Sequence, residues 1–555
     1  MNSERIKKIL GASLGECAHV AGIIAFLNLA KQQRYKTIFL GPATPINSLV
    51  DAIKEENPDI VAVSYRLTPA TAKSLLQRFI NAIRKANLHK GRKYVFGGTE
   101  PVADIAKQLN FFDAVFSGKD STDDIIAFLQ GRKSKGEEKH YPQTLVERIE
   151  KKRPFPIIRH HFGLPTIEAT IKGVREIAEA RVLDIISLGP DQDAQENFFH
   201  PERQDESRRG SGGVPVRTED DFKAIYEASR CGNYPLMRCY AGTDDLIQLA
   251  EMYLKTINLC FGAIPIFWFS ALDNRGPMAL EESIRVHQET IRWHAERNIP
   301  VEVNEPHQWS LRGAPDQIYV ATAFLSAYIA KKLGVKDYIA QYMFNTPAGV
   351  SFKMDLAKML ACIDLVEELC DENFIVHRET RTGLLSYPVD MDMAKGQLAS
   401  SVMLQMALNP EILHVVAYCE ADHAALPAEI VESCKIARKV VGNAIRGMPD
   451  MTVDLEVMAR KEELKKEAKL LIEAIRDLGD TSDDPLLDPK NLANAVRSGF
   501  LDAPELTPTK NSKGAIVTSI IDGACCAVNP KTEEIISEEE RLDTLRKTNA
   551  LQNLF

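Results

Sequence analysis

Apolar and polar positions follow two different periods along about the first quarter of the chain. Five short apolar runs, KKILGAS (7–13), KTIFLG (36–41), DIVAVSY (59–65), KYVFGG (93–98) and DAVFSG (113–118), have the length and composition of strands. Between them, HVAGIIAFLNLAKQQ, INSLVDAIKEE, TAKSLLQRFINAIRKA and VADIAKQL repeat apolar residues every three or four positions, the period of an amphipathic helix. Repeated strand–helix units predict a parallel sheet with helices on both faces. Ligands of such sheets bind at the carboxyl ends of the strands. Three loops fall on that edge: GECAHVAG (15–22), SYRLTP (64–69) and GGTEP (97–101).

The stretch GRKSKGEEKHYPQ (131–143) is polar and charged and reads as an exposed linker, placed at 136–155 after a first domain of 1–135. Strand-like runs resume at PIIRH (156–160), VLDIISLG (182–189), YPLMRCYAG (234–242) and IPIFWFS (264–270). They continue with IPVEVN (299–304), DYIAQYMF (337–344), FIVHRET (374–380) and LHVVAYC (413–419). About eight βα units over 156–450 predict a (β/α)8 TIM barrel, whose active site lies where its strands end. Polar residues there include His160, His161, Arg238, Tyr240 and Glu305, then His307, Arg378, Glu379, Glu420 and Asp422. A charged helix from about 451 to 478 and a small αβ tail around GAIVTSII (514–521) make a C-terminal extension, 451–555. Its KEELKKEAK run (461–469) reads as a solvated helix face. The fold class is α/β throughout.

Composition excludes more than it assigns. At 555 residues the chain is long enough for three or four domains, and 45% hydrophobic with 26% charged residues is ordinary for a globular protein. The net charge of −9 argues against nucleic acid as a partner, which would need a concentrated basic face. MNSERIKKIL lacks the apolar core of a signal peptide, and the most apolar run, 260–272, is too short for a membrane span and contains Pro265. Ten scattered cysteines read as reduced thiols, with neither a disulfide framework nor a zinc spacing. The expectation is a cytoplasmic, multidomain enzyme without a membrane partner.

His19 is the residue that the first sheet does not explain. A strand-to-helix turn that binds a nucleotide does so with backbone N–H groups and has no use for an imidazole. An imidazole at a loop mouth can ligate a metal through one nitrogen while a neighbour orients the other. Gly22 would let the following helix come close to a bulky ligand. On this loop alone, a helix-terminal histidine beside a close-packing glycine is an equal reading.

With the Ser-containing second loop and the Gly-Gly third loop on the same edge, the domain resembles the cobalamin-binding domain of B12-dependent mutases and methionine synthase. That family carries Asp-x-His-x-x-Gly, Ser-x-Leu and Gly-Gly, and its fold is flavodoxin-like and doubly wound. The resemblance implies that His19 is the lower cobalt ligand, that Ser64 meets the displaced nucleotide tail, and that Gly97 and Gly98 give the tail room. It also draws Arg66, Leu67 and Thr68 into the cofactor site. Two departures stand out. Cys17 replaces the family aspartate, with Glu16 beside it, and Arg66 stands where the leucine belongs, with Leu67 one residue later.

The second half carries a further resemblance. GSGGVPVRT (210–218), YPLMRCYAGTDD (234–245), VNEPHQW (303–309), SYPVDMDMAKGQLASSVMLQMAL (386–408) and LANAVRSGFLDAPELTPTKNSKG (492–514) are similar to the large subunit of glutamate mutase (methylaspartate mutase). The chain looks like a fusion of the family's two subunits. This implies adenosylcobalamin as cofactor, a radical carbon-skeleton rearrangement, and a homodimer through the barrel. In the family, arginines at the first three strand ends grip the two substrate carboxylates. Here the aligned positions fall near His161, with Arg159 two residues back, at Gln195, and at Tyr240, with Arg238 two residues back. At most two such arginines remain, so the implied substrate is a small carboxylic or amino acid other than glutamate. His161, Arg238, Tyr240, Glu305 and His307 are the candidate catalytic residues, and Asp422 the candidate ribose contact of the cofactor. Two other readings stay open: a corrinoid methyltransferase or methyl carrier, and a cobalamin-binding sensor without turnover.

Overall fold

In a computed structural model, which describes residues 5–118, 120, 122–131, 141–479 and 483–552, the five N-terminal runs form one parallel sheet. The strands are β1 (Lys8–Ser13), β2 (Lys36–Phe39), β3 (Ile60–Ser64), β4 (Lys93–Gly97) and β5 (Ala114–Phe116), in the order β2-β1-β3-β4-β5. This is the flavodoxin-like order, and its connections part between β1 and β3. Side chains alternate across the sheet as the period of two demands. Ile9, Ile60, Ala62 and Val95 meet helix Ala21–Gln32 on one face, while Leu10, Ala12, Val61, Val63 and Phe96 meet helices Ile46–Glu56 and Pro69–Lys85 on the other. Gly11 lets the first helix press on β1: a Cβ there would stand 2.7 Å from Leu27 Cδ1.

The chain divides into two units between His140 and Tyr141. The second holds eight parallel strands: β6 (Ile157–Phe162), β7 (Ile185–Leu188), β8 (Leu236–Cys239), β9 (Gly262–Ile264), β10 (Val301–Val303), β11 (Asp337–Phe344), β12 (Ile375–Thr382) and β13 (Ile412–His414). Their order, β8-β7-β6-β13-β12-β11-β10-β9, is that of a barrel whose ladder runs unbroken from β8 round to β9. Between those two end strands the backbone bond is Cys260 N to Met237 O, 3.0 Å. The amino ends of the strands close over an apolar floor of Ile157, Ile185, Leu236, Phe261, Ile339 and Ile412.

Three sequence expectations change. Residues 132–140 of the linker lie outside the described residues, and 145–152, placed within it, form a helix whose Leu145 and Ile149 pack into the barrel floor. Eight residues are too few for a helical period to stand out from charged neighbours. Helix Leu455–Asp477 buries Leu464, Ala468 and Leu471 in the same core as helices Asp316–Lys332 and Phe352–Glu367. Only part of the 461–469 run is therefore a solvated face, and there Lys461 and Lys465 both reach Asp364. The tail contains an antiparallel hairpin, β14 (Thr518–Ile521) with β15 (Ala524–Ala527), then helix Glu538–Gln552. Residues Leu492, Leu501 and Leu542 extend the barrel core, so the three or four domains expected from length become two units. Among the described residues, no helix is long and apolar enough to cross a membrane.

Candidate functional site

In the first unit, β1 and β3 end side by side, with Ser13 opposite Ser64 and Ser64 opposite Gly97. The loop after β1 turns at Gly15, whose φ of +64° favours glycine, and is tied to its neighbours by Leu14 N to Ser64 O and Gly15 N to Thr44 O. Ser13 Oγ donates to the Cys17 carbonyl at 2.7 Å. These bonds bury Cys17 and leave His19 exposed. Cys17 Sγ lies 3.9 Å from His19 Nδ1, and Nε2 has no partner among the described residues. Glu16 is exposed and makes no bond to the ring, so the group beside His19 Nδ1 is the Cys17 thiol.

The same edge has room for a large ligand. Nothing lies within 4 Å of a Cβ built on Gly22 or Gly97. The buried Ser64 Oγ has no hydrogen-bond partner, a rare state that points to a missing acceptor or donor. A free imidazole nitrogen, an orphaned hydroxyl and two clear glycines fit a corrin with its nucleotide tail. Gly98 has a reason of its own, since a Cβ there would meet Tyr65 O at 2.8 Å. Thr68 accepts from Thr71 N and caps helix Pro69–Lys85, while Arg66 and Leu67 are exposed beside it.

The barrel interior is built in tiers above its floor. Arg159 on β6 is 1% exposed and donates to Glu302 of β10 at 2.6 Å and Glu379 of β12 at 2.8 Å. Gln341 of β11 bridges the other oxygens of both acids at 2.6 and 2.8 Å. Burial pushes the Glu379 carboxyl up, against the pull of Arg159. Arg159, two residues before the first aligned family position, is instead held by the acids of this buried cluster.

Above it stand His161, His414, Arg238, Tyr240 and Arg381. The His161 and His414 rings stack at 4.7 Å and 7°. Arg159 and Arg238 each aim an Nη2 at His161 Nε2 from 3.5 Å, so that nitrogen is an acceptor. The proton of the neutral ring then sits on Nδ1 and is donated to Tyr240 Oη, which leaves the phenol O–H free to donate elsewhere. Burial and the Arg238 charge hold His161 well below the ordinary histidine range, and burial raises the Tyr240 phenol, so both are neutral at pH 7.

Arg238 and Arg381 differ from Arg159. Arg238 is 1% exposed and bonds Ser187 Oγ, the Cys239 carbonyl and His161, with no carboxylate. Arg381 has no ion-pair partner among the described residues, and its buried Nε has no acceptor. The run FIVHRET that predicts β12 stops at Thr380, one residue short of Arg381. The signal was present: β12 runs to Thr382, and its period of two puts Arg381 on the face of Glu379.

The other candidates scatter. His160 faces away from this tier and binds Ala417 N and Glu420. Arg378 pairs with Glu367 outside the barrel. Both Glu305 oxygens are occupied, by Ile266 N at 2.8 Å, Phe267 N at 3.3 Å and Trp309 Nε1 at 2.9 Å, and burial lifts its pKa to about 8. This carboxyl fastens the loop after β9. His307 is buried, held neutral by burial and by Arg381, and its Nδ1 has no partner. Asp422 is half exposed and bonds its neighbour His423.

Comparisons with known proteins bear on the first unit. Residues 7–126 match the model of the B12 binding domain family. No curated protein matches the chain. Among solved structures, the 1.5 Å crystal structure of a novel cobalamin-binding protein from Desulfitobacterium hafniense DCB-2 is 23% identical, with a TM-score of 0.20. That match covers 22% of this chain and 58% of the other. The domain match supports a cobalamin cofactor and does not distinguish its upper ligand.

Proposed function

We propose that the chain is an adenosylcobalamin-dependent carbon-skeleton mutase that rearranges a small carboxylic or amino acid other than glutamate. The observation that carries this reading is the joint presence of a B12 binding domain and a barrel in which two buried strand arginines, Arg238 and Arg381, form no ion pair with a carboxylate among the described residues. A buried guanidinium without a counter-ion is costly, and an acid substrate would supply the charge. The resemblance to glutamate mutase in the barrel motifs names the reaction class.

When bound, the cofactor supplies a carbon radical by homolysis, chemistry no side chain provides. His19 would hold its cobalt, with Cys17 behind the ring, Gly22 and Gly97 giving clearance, and Ser64 meeting the nucleotide tail. Within the barrel, Arg238 and Arg381 would hold the substrate carboxylate as charged donors, a fork geometry that fixes orientation as well as affinity. Tyr240 would donate its free phenol proton to a substrate oxygen, because His161 already fills its acceptor side. The neutral His161, His414 and His307 add polarity without competing for the anion. Only one substrate carboxylate finds this setting, in keeping with the arginines lost from the family's first three strand ends. A homodimer through the barrel belongs to the same reading, and light scattering would check it.

The deciding experiment mixes full-length protein, adenosylcobalamin and a panel of small acids without oxygen, with EPR detection. A paramagnetic signal that needs both cofactor and one acid is expected. Silence across the panel together with cofactor binding would favour a sensor. Methylcobalamin that cycles under reductant would favour a methyl carrier.

A further inference from the structure

The last βα loop of the barrel, between β13 and helix Pro427–Ile445, brings together three side chains of different chemistry. Cys419 Sγ lies 3.5 Å from Glu429 Oε2, and His423 Nε2 lies 2.9 Å from Glu429 Oε1. One ligand atom from each residue falls within 4.8 Å of the other two. We propose that Cys419, His423 and Glu429 form a zinc site that pins this loop.

Four features support the assignment. The separations need only small adjustment to become edges of a tetrahedron with Zn–S near 2.3 Å and Zn–N and Zn–O near 2.0–2.2 Å. The ring nitrogen that would not bind metal, His423 Nδ1, already faces Asp422 Oδ2 at 2.8 Å, the carboxylate–histidine arrangement that orients zinc-ligating imidazoles. The backbone is preset: His423 N bonds Cys419 O at 3.0 Å, and Glu429 Oε2 accepts Leu426 N at 2.9 Å in the cap of the helix. Cys419 is buried while the His423 side chain is 40% exposed, which leaves the fourth position open to water.

Ligand chemistry selects the ion. A thiolate and an imidazole disfavour calcium and magnesium, and one thiolate with one carboxylate neutralises a divalent charge. The step is an exchange of protons for metal: the Cys419 thiol proton and the proton between His423 and Glu429 leave to solvent as Zn2+ enters, and nothing is oxidised. The Cys-x3-His-x5-Glu spacing contains a single cysteine, which is why cysteine spacing alone reads as no zinc site. Asp422, the sequence candidate for a cofactor ribose, is taken here by His423.

The test uses the cobalamin-free full-length chain with zinc ions alone, read by equilibrium dialysis and metal analysis. Wild type should retain one more zinc per chain than Cys419→Ser or His423→Ala. Asp422→Asn, at an exposed position, should weaken zinc by about 10–100-fold. Cobalt ions added to the same protein should give a thiolate-to-metal charge-transfer band that Cys419→Ser removes. Equal zinc retention in wild type and His423→Ala, unchanged affinity in Asp422→Asn, or a cobalt spectrum without the thiolate band would overturn the site. None of these readouts uses cobalamin, so their failure leaves the mutase reading untouched.

Discussion

The loop after β1 and the tier above Arg159 are both candidate binding sites, yet they are prepared in opposite ways. At the loop, the working groups carry no fixed charge pair: one exposed imidazole nitrogen, one buried hydroxyl and two glycines with clear space. In the barrel they are buried and charged, and Arg159 is neutralised by two acids while Arg238 and Arg381 are not. A large cofactor brings its own surface and needs clearance with a few well-aimed donors. A small acid brings little surface, so its affinity must come from charges already stripped of water.

The comparison breaks most visibly if the three arginines behave alike. Arg381→Met or Arg238→Met should abolish the substrate-dependent EPR signal and weaken a bound acid by at least about 100-fold, the loss of a buried charge pair of about 3–5 kcal/mol. Either variant should leave the cofactor-free melting temperature unchanged or raised, because an uncompensated buried cation is removed. Arg159→Met should do the reverse: chemical denaturation should reveal a loss of about 3–5 kcal/mol, as Glu302 and Glu379 lose their cation. Equal destabilisation in all three variants would erase the distinction between structural and ligand-facing charge.

At the loop the expected effects are smaller. His19→Ala should abolish the imidazole-coordinated absorption spectrum of bound cobalamin. Cys17→Asp should tighten cobalamin by about tenfold, because a carboxylate raises the basicity of the ring more than a thiol does. Titration of bound cofactor by absorbance checks both.

The smallest effect is a pH dependence at the foot of the barrel. His377 Nδ1 lies 2.8 Å from Glu411 and Nε2 3.0 Å from Asp337, and these two acids raise its pKa to about 9 against burial. The folded value is above the unfolded one, so the stabilisation is complete below about pH 6.5 and is lost as pH rises through about 9. His377→Gln should flatten the decline in melting temperature over that window, with about one to two degrees at stake near pH 7.

Much of this architecture is legible in the chain itself. Near-continuous apolar runs such as DYIAQYMF reproduce β11 residue for residue, and the alternation of βα units gives both parallel sheets. His19, Gly22 and Ser64 are legible because loops at a sheet's carboxyl edge can be located from the strands alone. Burial of charge is not legible in this way. Nothing local in PIIRH says that Arg159 meets Glu302, 143 residues away, or in EPHQW that Glu305 serves two amides and an indole. Arg381 lies beyond the run FIVHRET because β12 continues two residues past it, and the Cys419 cluster carries one cysteine with no spaced partner.

Between β8 and β9 one backbone bond, Cys260 N to Met237 O, is found among the described residues, which makes the barrel a split ring in the engineer's sense. Elsewhere a change of circumference must unzip a ladder, as between β11 and β12 with eight residues in register, whereas at the gap it must break one hydrogen bond. The gap lies beside Arg238, whose guanidinium rests 5.3 Å above the Phe261 ring. Any widening of the bore would therefore be felt first by Arg238, and if that arginine holds the substrate as proposed, bore diameter and substrate grip would be one adjustable quantity.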